Sequence, residues 1–193
     1  MASYLGQRPQ LELFSESHRM SKGIVAEVDS DWASEPGRGS VDGGVLFIGS
    51  HRIDSWSGQQ GNRALSIAGA EFKGAVNVSA RGIWLKNLLL ETGIDMMLQV
   101  NTGSSGAQGV ASRLGRGKVR HLETKYLWAQ EKIGGETTSM AKTRADVNRA
   151  DMQTKSLEEP KFMTLLERLR PGIYHGQLKA QMIVDLLLGA GRR

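Results

Sequence analysis

"GIVAEVDSDWASEPGRGSVDGGVLFIGSHRIDSWS", residues 23 to 57, decides how the chain begins to fold. Its first piece, "GIVAEVD" (23 to 29), is rich in β-branched and apolar side chains and ends on an acid, the mark of a strand. "DSDWASEPGRGSVDGG" (29 to 44) is dense in Gly, Ser, Asp and Pro and reads as turn. "GGVLFIGSHRIDSWS" (43 to 57) then reads as two strands joined at "GSHR", a hairpin. The chain therefore opens with antiparallel strands.

The pattern changes downstream. In "ALSIAGAEFKGAVNVSARGIWLKNLLLETG", Ala68, Phe72, Ala75, Val76, Ile83, Leu85, Leu88 and Leu89 approximate helical spacing, and Thr92-Gly93 supplies a stop. Gly69, Gly74 and Gly82 interrupt this helix, each at a cost of ~1 kcal/mol. "MMLQV" (96 to 100) reads as a short buried strand and "SSGAQGVASR" as a short helix. "HLETKYLWAQEKIGG" (121 to 135) reads as a long helix ended by two glycines, and "TTSMAKT" as a strand. "NRADMQTKSLEEPKFMTLLERLRPG" is helical in two pieces, with Pro160 opening the second. The order β-β-β-α-β-α-α-β-α predicts an α/β fold: a mixed sheet, antiparallel hairpin strands first and β-α units after, with helices on both faces.

The 193 residues are 39% hydrophobic and 23% charged, as expected of one globular domain with a core. Lys and Arg number 25 against 20 Asp and Glu, a net charge of +5 that suits a nucleic-acid partner without requiring one. The absence of cysteine excludes disulfides, thiolate zinc sites and a cysteine nucleophile. His18, His51, His121 and His175 are too scattered for a local metal motif. "MASYLGQRPQLELF" has no apolar h-region, and no apolar run approaches ~18 residues, so neither signal peptide nor membrane span is expected and the protein reads as intracellular.

The glycine-rich stretch "VNTGSSGAQG" (100 to 109) raises the question of a phosphate loop. A P-loop requires G-x-x-x-x-G-K-[ST]; here Gly117-Lys118 is followed by Val119, and Ser112 stands where the first glycine belongs. G-x-G-x-x-G fails as well, since Gly115-Arg116-Gly117 continues to Arg120. Nucleotide cradling is excluded on spacing. Asp29 at a strand end, Glu71 early in the first long helix and Asp151 opening a later one are a different kind of candidate. Distant carboxylates brought to one end of an α/β sheet bind hard divalent cations through oxygen, and two such ions clamp a phosphodiester during hydrolysis.

At these residues the sequence resembles the ribonuclease H domain at the end of copia-type retrotransposon Pol polyproteins. "YLGQRP" resembles the end of the reverse transcriptase connection, and "VDSDWAS" the family's Asp-x-Asp-Trp-Ala opening. "GGVLFIGSHRIDSWSGQQ" resembles its hairpin with the Ser-Trp-Ser signature, and "ALSIAGAEF" the helix carrying Ala-Glu-Tyr or Ala-Glu-Phe. "GVASRLGRGKVRHLETKYLWAQEKI" resembles its Arg-His-(Ile/Leu)-Glu helix, and "NRADMQTKSL" its closing Asn-Pro-Ala-Asp-x-x-Thr-Lys. The resemblance covers roughly residues 4 to 170. It implies a lead-in at 1–22, a ribonuclease H-like domain at 23–157 and a C-terminal helical tail at 158–193.

The resemblance further implies hydrolysis of the RNA strand of RNA–DNA hybrids, with two Mg²⁺ (or Mn²⁺) ions held by four acids. Carried over singly, these are Asp29 (Asp31 the nearby alternative), Glu71 and Asp151, which serve as metal ligands and catalytic groups. The third acid should stand in a Thr-Asp-Ser-Ser pattern after "MMLQV". The sequence there is Thr102-Gly103-Ser104-Ser105, so Gly103 replaces it. Glycine offers no side-chain ligand, and Asn101 is neutral and further along the strand. Arg149 in place of the closing motif's proline is a second departure. The readings that follow are a weakened ribonuclease, a nucleic-acid-binding module that no longer cuts, or an inert retroelement fragment. RNA–DNA hybrid is the implied partner, beside a reverse transcriptase domain in a longer polyprotein; no membrane partner is implied.

Arg113, Arg116, Lys118, Arg120 and Lys125, against the single acid Glu123, form a basic stretch able to follow a phosphate backbone. Tyr126, Trp128, Trp32, Trp56 and Trp84 read as core packing.

Overall fold

Strand β1 (Gly23–Glu35) is the centre of a five-stranded sheet in the computed structural model, which describes residues 21, 23–35, 39–61, 63–112, 124–133, 138–155 and 157–168. On one side it pairs antiparallel with β2 (Gly39–Ile48), which pairs antiparallel with β3 (His51–Gln59). On the other side it pairs parallel with β4 (Met97–Thr102), which pairs parallel with β5 (Thr138–Lys142). The sheet order is β3-β2-β1-β4-β5, mixed as expected from the element order.

The helices are α1 (Ile67–Glu91), α2 (Ser105–Ala111), α3 (Thr124–Ile133), α4 (Asp151–Thr154) and α5 (Glu159–Arg168). Side-chain alternation along the strands divides the core. Ile24, Ala26, Val28, Leu46, Leu98 and Val100 form one cluster with Ala75, Val78 and Leu85 of α1. Val45 and Phe47 point the other way and meet Met152, Phe162 and Leu165 of α4 and α5. A third cluster joins Phe72 and Val76 of α1 to Ala107, Ala111 and Ile133 of α2 and α3.

Local signals explain the boundaries. Ser66 caps α1, its Oγ accepting from the Gly69 amide at 3.1 Å. Gly93 takes φ 85° after the last turn, where the Gly93 amide donates to Leu90 O and the Ile94 amide to Leu89 O, both at 2.9 Å. Gly49, at φ 60°, turns the hairpin between β2 and β3 at the "GSHR" position.

Three expectations are corrected. The segment 29 to 44 is mostly strand: β1 runs on to Glu35 and β2 starts at Gly39, because partners from Ile24↔Ile48 to Asp31↔Val41 satisfy its backbone. The irregularity falls between Asp31 and Glu35, where Ala33 adopts φ 54° and its amide donates to Ser40 Oγ at 3.2 Å. The glycines of α1 do not interrupt it. A Cβ on Gly74 would lie 2.5 Å from Ser30 Oγ and 3.0 Å from Val28 Cγ2, and one on Gly82 would lie 2.7 Å from Leu98 Cδ1. They let the helix sit directly on β1 and β4. Finally, Trp32, Trp84 and Trp128 are exposed rather than core residues, and Trp56 is half-buried beneath the Arg81 guanidinium, 4.2 Å from the ring centre.

Candidate active site

The parallel register brings the middle of β1 beside the end of β4, so Asp29 lies within its strand and not, as expected, at its end. Glu27 pairs with Asn101 and Val28 with Thr102, so the next residues, Asp29 and Gly103, lie side by side where β1 and β4 leave the ladder. Alternation points Asp29 away from Val28 and the α1 cluster. A Cβ on Gly103 would meet nothing within 4 Å. The chain then turns on side-chain bonds: Ser104 N donates to Thr102 Oγ1, and Ala107 N to Ser104 Oγ, both at 3.1 Å.

Asp151 comes to the same end from the far side of the sheet. Asn148 anchors the turn before it. The buried Asn148 amide donates to Val28 O at 3.0 Å, and its Oδ1 accepts from the Ala150 amide at 3.2 Å. That bond seizes the strand one residue before Asp29. α4 then delivers Thr154, which hydrogen-bonds Asp29 Oδ2 through its hydroxyl, and Lys155, whose Nζ stands 3.0 Å from the same oxygen. Lys155 Nζ is also 3.8 Å from Asp151 Oδ1, while Lys161 of α5 donates to Asp151 Oδ2 at 2.8 Å.

Glu71 enters from the first turns of α1. The carbonyl just before it, Ala70 O, accepts from Ser30 Oγ at 3.2 Å and from Gln60 Nε2 at 2.9 Å, which ties this turn to β1 and to the chain after β3. Burial pushes the Glu71 carboxyl up to about 7, with the charges of Asp29 and Asp151 acting in the same direction and Lys155 against them. Burial likewise raises Asp151, opposed by its bond from Lys161 and assisted by Asp29. For Lys155, burial works against the charge, but Asp29 and Asp151 outweigh it and hold the ammonium above the usual lysine range.

Asp29, Glu71 and Asp151 are thus brought within electrostatic reach of one another. Among the described residues, however, no three acid, histidine or cysteine side chains are close enough as they stand to hold a metal ion. Two buried oxygens, Glu71 Oε2 and Asp151 Oδ1, have no hydrogen-bond partner. An all-oxygen donor set with orphaned buried carboxylate oxygens suits a hard divalent cation. Asp31, two residues beyond Asp29 on β1, is half-buried and its charge is felt at both Glu71 and Lys155. Asn101 is engaged as the acceptor of Gln99 Nε2 at 2.9 Å.

Arg149, the second departure from the motif, has a structural partner. Its guanidinium and amide make three bonds to the buried Glu27 carboxylate, at 2.9, 2.9 and 2.6 Å, and its Cζ lies 3.5 Å from the centre of the Phe47 ring. Of the basic stretch, Arg113, Arg116, Lys118 and Arg120 lie outside the described residues, and Lys125 enters only as a position in α3. Sequence reading missed Asn148, Thr154, Lys155 and the Glu27–Arg149 pair. Asn148, Thr154 and Lys155 were within reach, since all three belong to the closing motif that the resemblance quotes.

The sheet order and the crossing helices define a ribonuclease H-like fold. The foamy viral protease–reverse transcriptase solved in complex with RNA/DNA hybrid is similar in fold, with TM-score 0.51 and 14% identity over 74% of this chain and 21% of that one. LC11-RNase H1 isolated from compost is similar over 69% of this chain and 93% of its own, with TM-score 0.48 and 15% identity. No family model matches the chain. Among curated proteins, the chain is similar to the retrovirus-related Pol polyprotein from transposon TNT 1-94 of Nicotiana tabacum, 29% identical over 152 residues, 77% of this chain and 11% of the polyprotein. It is 22% identical over 170 residues to that from transposon RE1 of Arabidopsis thaliana, 86% of this chain and 12% of the polyprotein. The chain therefore spans about a tenth of the length of these relatives. The resemblance read from the motifs holds: the chain has a ribonuclease H-like fold and is similar in sequence to retroelement Pol polyproteins. No helix among the described residues is long and apolar enough to cross a membrane.

Proposed function

We propose that this domain is a divalent-cation-dependent hydrolase of the RNA strand in RNA–DNA hybrids, slowed by the loss of its third acid. The reading is carried by one observation. Asp29, Glu71 and Asp151 approach one another where the β1–β4 pairing stops beside Gly103, with buried carboxylate oxygens left unpartnered. Asp29, Glu71 and Asp151 would hold Mg²⁺ or Mn²⁺. When bound, the ions supply an activated water and offset the charge that builds on the phosphodiester. Thr154 fixes the orientation of Asp29, and Asn148 fixes the strand that carries it. Ser30 and Gln60 hold the turn that presents Glu71.

Gly103 withdraws one charged ligand from this set. Three carboxylates would neutralise less of the charge of two divalent ions than four, and water would have to stand in for the missing ligand. The basic residues Arg113, Arg116, Lys118, Arg120 and Lys125 supply sequence-independent affinity for the sugar–phosphate backbone. In a longer polyprotein, a reverse transcriptase domain is the proposed neighbour, with 1–22 as lead-in, 23–157 as the domain and 158–193 as tail.

The test is cleavage of a labelled RNA strand in hybrid, with Mg²⁺ or Mn²⁺, by this chain and by Asp29→Asn and Asp151→Asn. Slow, cation-dependent cleavage lost in both variants supports the proposal. Gly103 favours one other reading, a hybrid-binding module without cleavage. Tight binding that falls steeply with salt, with no product, would select it. Neither binding nor cleavage would mean an inert fragment.

A further inference from the structure

Lys155 lies where the acid site would receive a cation. It follows α4 with an extended backbone, φ −128° and ψ 149°, and its amide closes the turn on Asp151 O at 3.2 Å. The side chain then turns back between two buried acids, reaching Asp29 Oδ2 at 3.0 Å and Asp151 Oδ1 at 3.8 Å. These acids have little water to screen them: Asp29 is 7% exposed and Asp151 is 2% exposed. Lys161 differs in kind. It caps Asp151 Oδ2 from α5 at 2.8 Å. Asp151 Oδ1 has no hydrogen-bond partner, and Lys155 is the cation nearest to it among the described ion pairs.

An ammonium on a four-carbon stem is a compact, mobile point charge. Because it is tethered to α4, it competes for the two carboxylates at a high local concentration. The side chain is 38% exposed, so it has a path of withdrawal. We propose that the Lys155 ammonium is a built-in counter-cation: it bridges Asp29 and Asp151 when no divalent ion is bound, and must withdraw for one to enter. It thereby lowers the site's affinity for divalent cations and holds α4 against β1 in their absence. The inference rests on the proposed reading of Asp29 and Asp151 as cation ligands.

The test compares the wild-type chain with Lys155→Met, which keeps the stem, and Lys155→Arg, which keeps the charge. Mn²⁺ binding is measured by calorimetry, and melting temperature with EDTA and with saturating Mn²⁺. Lys155→Met should bind Mn²⁺ on the order of tenfold more tightly, melt about 5 °C lower in EDTA, and recover that loss in Mn²⁺. Lys155→Arg should stay near wild type. Equal Mn²⁺ affinity in wild type and Lys155→Met overturns the competition while leaving the cation site intact. No Mn²⁺ binding by either protein overturns both. Should Lys155→Met fail to fold, the wild-type NH₃⁺ resonance of Lys155 decides. It should be protected from exchange in EDTA and lost on saturation with Mg²⁺; a resonance unchanged by Mg²⁺ contradicts the proposal.

Discussion

Arg149 grips Glu27 through three hydrogen bonds that span 122 positions of sequence, joining the turn before Asp151 to the middle of β1. Glu27 is 5% exposed, so little water can take the place of this partner. Arg149→Ala should destabilise the domain by ~3 kcal/mol, because it strands a buried carboxylate. Glu27→Leu combined with Arg149→Met should recover most of that loss. Urea denaturation of the three proteins checks the pair; a loss under ~1 kcal/mol for Arg149→Ala would show the carboxylate finds water instead.

The glycines of α1 give a second, sharper contrast. Alanine is the better helix former by ~1 kcal/mol. At Gly74 and Gly82, however, its methyl would collide with Ser30 and with Leu98. Gly74→Ala and Gly82→Ala should each destabilise by ~1–3 kcal/mol despite the gain in propensity. Gly109→Ala in α2, where a Cβ meets nothing within 4 Å, should stabilise by ~0.5–1 kcal/mol. Melting temperatures of the three variants should split accordingly, and three shifts of one sign would contradict the proposed contacts.

Glu71 makes stability fall with rising pH. Its folded value, about 7, lies above its ordinary 4.5, so the folded state binds the extra proton. Its contribution is full below the ordinary value and is lost as pH climbs through about 7. The loss is at most ~3 kcal/mol, since part of the group meets solvent. Glu71→Gln should flatten this decline and be more stable than wild type at pH 8 in EDTA, while abolishing any hybrid cleavage. Parallel stability–pH curves for the two proteins would argue against the buried charge.

The order of elements was legible in the sequence because it depends on local spacing and stops. Ser66, Gly93 and the "GSHR" turn each act within a few residues. The acids were legible only through the motifs that carry them, since nothing in the spacing of Asp29, Glu71 and Asp151 says that they meet. Their meeting depends on strand register and on the Asn148 tether to Val28 O, both long-range. The same reason hid the partner of Arg149 and made Gly74 and Gly82 look like damage. A glycine that admits a strand and one that merely weakens a helix are identical until the strand is in place.

In the proposed site, Gly103 stands where an acid ligand is missing. The most direct measurement is the initial rate of Mg²⁺-dependent cleavage of the RNA strand in an RNA–DNA hybrid, by wild type and by Gly103→Asp. The open space at Gly103 admits the new side chain without a clash. Loss of a residue that merely supports a ligand costs 10–100-fold, so restoring a ligand itself should raise the rate by on the order of a hundredfold. Mn²⁺ affinity should rise with it. Equal rates for the two proteins, with Gly103→Asp folded, would contradict the account.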